Sequence, residues 1–118
     1  VQMQFLARNA GYRAAHPQGW FAIIEQDGSA IGRIVIDDAT QAAHIVDFAL
    51  LPGCRTRGLG TAILGALLPQ LGRGGRPVRC MVLETNQASL RMCRKVGFVS
   101  TGADGPFVNL AWVRAAAD

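Results

Sequence analysis

Residues 48–61, FALLPGCRTRGLGT, constrain the fold more than any other stretch of the chain. The apolar run Phe48 to Leu51 stops at Pro52, which has no N–H to give to a β-ladder, and Gly53 follows. Apolar residues resume at helical spacing from Leu59. Arg55 to Thr61 therefore join the end of a strand to the start of a helix. A second β-rich run, Val78 to Leu83, comes after the helix is stopped at Gly72-Arg73-Gly74-Gly75-Arg76-Pro77. A strand-helix-strand unit crosses over so that its two strands lie parallel. This one stretch thus requires an α/β fold containing a parallel pair.

The junction also has a chemistry. The first amides of a helix lack backbone acceptors and, with the helix dipole, they favour an anion such as phosphate. Gly58 and Gly60 carry no Cβ to keep an anion off the backbone, and Arg55 and Arg57 add fork-shaped cationic donors. Two glycines spaced GxG are weak evidence by themselves. A dinucleotide-binding GxGxxG needs a third glycine where Ile63 stands, and GxxxxGK[ST] needs a lysine that the loop lacks.

Arg55-Thr56-Arg57-Gly58-Leu59-Gly60 resembles the Q/R-x-x-G-x-G/A motif of the GNAT superfamily of N-acetyltransferases. Asn86 to Phe98, NQASLRMCRKVGF, is similar to the family's N-x(6)-Y-x-K-x-G-F segment, with Asn86, Lys95, Gly97 and Phe98 in register and Cys93 where tyrosine is usual. The resemblance implies a mixed, mostly antiparallel sheet of about six strands flanked by helices, with central parallel strands that splay apart. It implies acetyl-coenzyme A as cosubstrate and an amine as acceptor, acetylated by direct attack on the thioester. Its pyrophosphate would lie on Arg55, Thr56, Arg57, Gly58, Leu59, Gly60 and Thr61. The pantetheine amides would pair with the backbone of Phe48, Ala49 and Leu50, and Asn86 would touch the cofactor from the second motif.

An amine must lose a proton to attack, so a base or a water chain leading to one is expected. His44 lies eleven residues before Arg55, where some members carry a glutamate base; it reads as that base or, preferably, as an ordinary histidine at a sheet edge. Asp47, a carboxylate in an apolar strand, reads as an anchor for a cationic acceptor or as a solvent-facing position. Glu84 is a weaker candidate. Cys93 would protonate the departing thiolate in place of tyrosine, or simply pack. The missing tyrosine and the short N-terminal region favour a second reading, a coenzyme A-binding or interaction module without transferase activity.

Composition narrows the partners. Of the net charge of +4, residues 1–54 carry three Arg against five acidic residues, while residues 55–118 carry nine Arg or Lys against three. A polyanionic cofactor is drawn to the second half. Nucleic acid is not expected, since no aromatic residues interleave with the basic ones. No apolar run approaches the ~20 residues that cross a bilayer, and no leader pattern opens the chain, so the cytoplasm is expected and a membrane is not. Cys54, Cys80 and Cys93 form no CxxC pair, so reduced thiols rather than a zinc site or disulfide framework are expected.

In chain order, Val1 to His16 reads as an amphipathic helix on Met3, Leu6 and Ala10, ended by Pro17 and Gly19, in one domain spanning 1–118 that lacks the family's leading strand. Tyr12, His16 and Trp20 read as acceptor-side or, preferably, packing residues. Trp20 to Gln26 and Ser29 to Asp37 form a hairpin on Asp27-Gly28, followed by a strand from Ala43 to Leu51. The helix after the loop runs from Leu59 to Leu71, with Leu59, Ile63, Ala66, Leu67 and Leu71 on one face. Ala88 to Val96 is a short helix, and Phe98 to Thr101 and Pro106 to Arg114 form a last hairpin whose exposed strands permit a homodimer.

Overall fold

The computed structural model describes residues 3–8, 19–55 and 58–114. Its seven strands form one sheet: β1 (Met3–Arg8), β2 (Gly19–Gln26), β3 (Ser29–Asp38), β4 (Ala43–Leu50), β5 (Val78–Leu83), β6 (Val99–Asp104) and β7 (Phe107–Trp112). The spatial order is β1-β2-β3-β4-β5-β7-β6. Among the described strands only β4 and β5 pair in parallel, joined by α1 (Leu59–Leu71) as the crossover. A second helix, α2 (Gln87–Lys95), links β5 to the final hairpin. Asp27 and Gly28 both take positive φ, 53° and 80°, as the two-residue turn between β2 and β3 requires.

The start of the chain corrects the sequence reading. Met3 to Arg8 is not helical; it pairs antiparallel with β2 from Met3↔Gln26 to Arg8↔Phe21. Among the described residues the sheet has seven strands, in keeping with the about six expected, and a leading strand stands where none was expected. Gln2-Met3-Gln4-Phe5 alternates polar and apolar residues, the period of a strand, and the free edge of β2 supplies the ladder partner. The 3–4 spacing of Met3, Leu6 and Ala10 was coincidental. Tyr12 and His16 lie outside the described residues, and Trp20 packs against the core.

Both helices pack on the face of the sheet that carries the core. Ile63, Leu64, Leu67, Leu68 and Leu71 of α1 are buried against Ile34, Ile36, Ala43 and Val78, whereas Ala66 is exposed. The buried face is thus turned by one residue from the expected one. Helix α1 has no side-chain cap at its start. A good cap is worth about 1 kcal/mol, whereas each fully buried Leu or Ile contributes roughly 1.5–3 kcal/mol. Burial, not capping, seats this helix.

Beyond α1 the chain is held chiefly by Arg76, with Arg73 adding a longer contact to Asp38. Arg76 donates through Nε to the Leu71 carbonyl at 2.7 Å, and its other two nitrogens reach the Ala39 carbonyl and the Asp38 carboxylate. It therefore fastens the C-terminal end of α1 to the end of β3. The glycine-rich stretch is a tight connection, as its composition suggests.

Helix α2 ends in a Schellman motif that explains the Gly97-Phe98 pair. The Phe98 N–H bonds to the Cys93 carbonyl at 2.9 Å and the Gly97 N–H to the Arg94 carbonyl at 3.1 Å. Phe98 and Cys93, which the motif brings together, both belong to the buried core. Gly97 sits at φ 108°, and a Cβ there would lie 3.1 Å from Trp112 Nε1. We expect Gly97→Ala to lower unfolding stability by about 1–3 kcal/mol through this backbone strain. A chemical-denaturation midpoint equal to that of the parent would show the expectation wrong.

Candidate active site

The ladder between β4 and β5 is short. Only Ala43↔Val78, His44↔Arg79 and Ile45↔Cys80 pair, although β4 continues to Leu50 and β5 to Leu83. The cause lies on the other side of β4: its register with β3 shifts so that Val35 faces Asp47 and Ile36 faces Ile45, leaving Val46 as the extra residue of a bulge. A bulge bends and twists its strand, and here the bend carries β4 away from β5. The expected splaying is present. Past the fork the facing edges of Val46–Leu50 and Met81–Leu83 have no ladder partner in each other.

On the helix side the fork opens into a cleft of about 250 Å³. Phe48, Val82, Met92 and Phe98 line it with Cys80 and Cys93. Phe48 and Leu50 pack toward the core. Asn86, expected to touch a cofactor, lines the cleft, and its Oδ1 accepts from the Ser89 N–H at 3.2 Å as the cap of α2.

The arginine-glycine loop lies at the end of the β4 edge. After a 3₁₀ turn over Pro52–Cys54, Arg55 Nε donates to the Leu50 carbonyl at 3.0 Å, tying the loop to the strand. Thr56 and Arg57 lie outside the described residues. Gly58 caps α1 in the left-handed region at φ 71°, and α1 has no acidic residue in its first turn. The first helical bond runs from the Ala62 N–H to the Gly58 carbonyl at 3.1 Å, so the amides of Leu59, Gly60 and Thr61 precede the ladder.

The two glycines do different things. A Cβ on Gly58 would meet no atom of the described residues within 4 Å, which leaves the backbone there open to a ligand on their side. Gly60 is buried, and a Cβ on it would lie 2.6 Å from Met92 Sδ and 3.7 Å from the Phe48 ring. The sequence reading gave both glycines to anion access; Gly60 instead lets α1 sit close to α2 and β4.

Cys93 is 5% exposed. The thiol of Cys80, on the last paired rung of β5, donates to its sulfur. That hydrogen bond holds Cys93 below the ordinary thiol range, against the opposing effect of burial. The same bond, then burial and the neighbouring charge of Cys93, push Cys80 well above that range.

The opposite face of the sheet carries the other candidates. A cross-strand row runs Asp37↔His44↔Arg79 over β3, β4 and β5, one rung before the fork. All three line a pocket of about 820 Å³ with Thr101, Asn109 and Val113. It shares Ile45, Val46, Cys80 and Met81 with the helix-side cleft, so the fork is where the two meet. Asp47 forms an ion pair with Arg33, Nε to Oδ2 at 2.8 Å. Glu84 sits in the turn after β5 and lines neither space.

Cys80, Arg79 and Asp37 were not singled out from the sequence. The alternation of β5 does place Cys80 on the face of Val78 and Val82, and Arg79 on the other. Which residues stand beside them depends on strand register, which periodicity does not carry.

The model of the acetyltransferase (GNAT) family matches residues 2–98. No curated protein matches the chain in sequence. Among solved structures, the Campylobacter jejuni N-acetyltransferase PseH in complex with acetyl coenzyme A is similar with TM-score 0.77 and 12% identity, covering 97% of this chain and 100% of that one. The PaiA N-acetyltransferase from Thermoplasma acidophilum in complex with coenzyme A gives 0.74 and 18%, covering 87% of this chain and 65% of that one. Mutant forms of the spermidine/spermine N-acetyltransferase SpeG from Vibrio cholerae give 0.74 and 12%, covering 95% of each chain. At these identities the likeness is one of fold.

Proposed function

The chain belongs to the acetyltransferase (GNAT) family, and from that premise we propose that it is an acetyl-coenzyme A-dependent N-acetyltransferase acting on an amine by direct attack. The observation that carries the proposal is the fork, whose strands part after three rungs and leave backbone N–H and C=O groups facing a cleft. Unpaired strand edges are templates for an added strand, and the amides of a pantetheine arm have the donors and acceptors to serve as one. The backbone of Phe48, Ala49 and Leu50 would hold that arm. The amides of Leu59, Gly60 and Thr61, with Gly58 open beside them and Arg55 at the loop, would hold the pyrophosphate. Thr56 and Arg57 complete the same loop, and Asn86 borders the cleft.

Bound acetyl-coenzyme A supplies the thioester. On this reading the acceptor amine approaches from the opposite face, where His44 takes its proton before attack. Asp37 and Arg79 flank His44, so the pocket offers a group of each sign to orient an acceptor. Asp47, whose carboxylate is paired to Arg33 on β3, would add negative charge on the same strand as His44. Cys93, in the wall of the cleft, would give a proton to the leaving thiolate. The three cysteines are free, which suits a reducing compartment such as the cytoplasm. No helix among the described residues is long and apolar enough to cross a membrane.

A glutamate at position 58 would strain a left-handed backbone and set a carboxylate among amides that favour an anion. We expect Gly58→Glu to weaken acetyl-coenzyme A binding by about tenfold or more, ~1.4 kcal/mol. Calorimetric titration reads this directly; equal affinity in the variant sinks the assignment of the loop. Thiol release from acetyl-coenzyme A that depends on an added amine separates a transferase from a module that only binds.

A further inference from the structure

Cys80 and Cys93 come from different elements, β5 and α2, yet meet in the wall of one cleft. Cys80 sits on the last rung before the strands part, so the pair lies at the apex of the fork. Of the three cysteines, only these two line the cleft; Cys54 lies in the 3₁₀ turn after β4. Two thiols in the wall of one cleft, both packed into the same core cluster, form a dithiol, and a dithiol has a chemistry that a lone cysteine lacks.

We propose that Cys80 and Cys93 form a thiol–disulfide exchange site, which a small disulfide carrying a pantetheine-type arm enters and oxidises to a Cys80–Cys93 bridge. The choice of arm rests on the proposed cofactor cleft; the exchange chemistry rests on the thiol pair alone. The roles follow from the hydrogen bond. The Cys80 thiol donates to the Cys93 sulfur, which favours the Cys93 thiolate, and the thiolate is the nucleophile of exchange.

The step balances as follows. Cys93 loses its proton and attacks one sulfur of R–S–S–R; a Cys93–S–S–R bond forms, the original S–S bond breaks, and one R–S leaves with the proton. Cys80 then loses its proton and attacks the Cys93 sulfur, the mixed disulfide breaks, and the second R–SH departs. The two cysteine sulfurs are oxidised by two electrons in all, and the incoming disulfide is reduced to two thiols. The internal bridge would tie β5 to α2 across the wall of the cleft, hindering acetyl-coenzyme A.

The test uses the reduced full chain carrying Cys54→Ser, treated in parallel with coenzyme A disulfide and with glutathione disulfide, which lacks the pantetheine arm. Intact mass and thiol titration under denaturing conditions read the product. The expected product is a protein lighter by two hydrogen atoms with both thiols lost, formed faster with coenzyme A disulfide and reversed by dithiothreitol. Cys80→Ser should stop at a coenzyme A adduct on Cys93. The bridged protein should bind acetyl-coenzyme A at least about tenfold more weakly until it is reduced. Failure of both reagents to form an internal bridge overturns the proposal, even where acetyl-coenzyme A binds normally. Bridging at the same rate by both reagents upholds the thiol pair and counts against the pantetheine cleft instead.

Discussion

Replacing Arg76 with alanine will lower the midpoint of thermal unfolding by about 10 °C or more, the consequence of losing roughly 3 kcal/mol. The guanidinium is 9% exposed and serves three acceptors on two elements: the Leu71 carbonyl at the end of α1, and the Ala39 carbonyl and Asp38 carboxylate at the end of β3. Arg73 also reaches Asp38, at 3.5 Å, but from an exposed position where an ion pair contributes little. Removing Arg76 therefore leaves a partly buried carboxylate and two carbonyls without their main donor, and such orphaned groups carry the full cost of desolvation. Lysine keeps the charge but not the planar fork, so Arg76→Lys should fall between the two. Thermal melts followed by circular dichroism decide it. A shift of less than about 3 °C in the alanine variant means that water replaces the guanidinium without loss.

The second large effect is on turnover. His44→Ala should reduce kcat by about 10²–10⁴-fold, the usual worth of a positioned base, and change the shape of the pH–rate profile. The imidazole borders the open-face pocket one rung before the fork, whereas the acetyl-coenzyme A assignments lie on the helix side and along the loop. Affinity for acetyl-coenzyme A and the unfolding midpoint should therefore stay close to those of the parent. That combination separates loss of a base from loss of the fold. Unchanged kcat and an unchanged profile would leave His44 an ordinary strand residue and turn attention to Asp37, its neighbour in the cross-strand row.

Much of the architecture was legible in the chain because its signals are local. Pro52 and Gly53 end a strand, Gly72 to Pro77 end a helix, and Asp27-Gly28 makes a hairpin, each through the φ range or missing donor of a single residue. Helix α1 and strand β5 accordingly begin and end where periodicity places them. The opening residues were misread because Met3, Leu6 and Ala10 satisfy a helical spacing while Gln2-Met3-Gln4-Phe5 satisfies a strand, and only the unpaired edge of β2 selects between them.

The site divides in the same way. The loop and cap positions of Arg55, Gly58, Asn86 and Gly97 are legible in the sequence because such chemistry is written in short segments. Whether a glycine faces a ligand or a neighbouring helix is not: Gly58 opens to space and Gly60 meets Met92, which is distant in sequence. The same holds for Asp47, whose partner Arg33 stands on another strand, and for Cys80 and Cys93, thirteen residues apart but joined in one cleft. Within the chain itself lay the order of elements from β2 onward, the parallel crossover and the arginine-glycine junction between strand and helix, since these follow from backbone preferences within a few residues. Only the tertiary structure decided the bulge at Val46, the opening of the fork and the meeting of the two thiols, because register between strands and the seating of helices on a sheet depend on contacts between residues far apart in the chain.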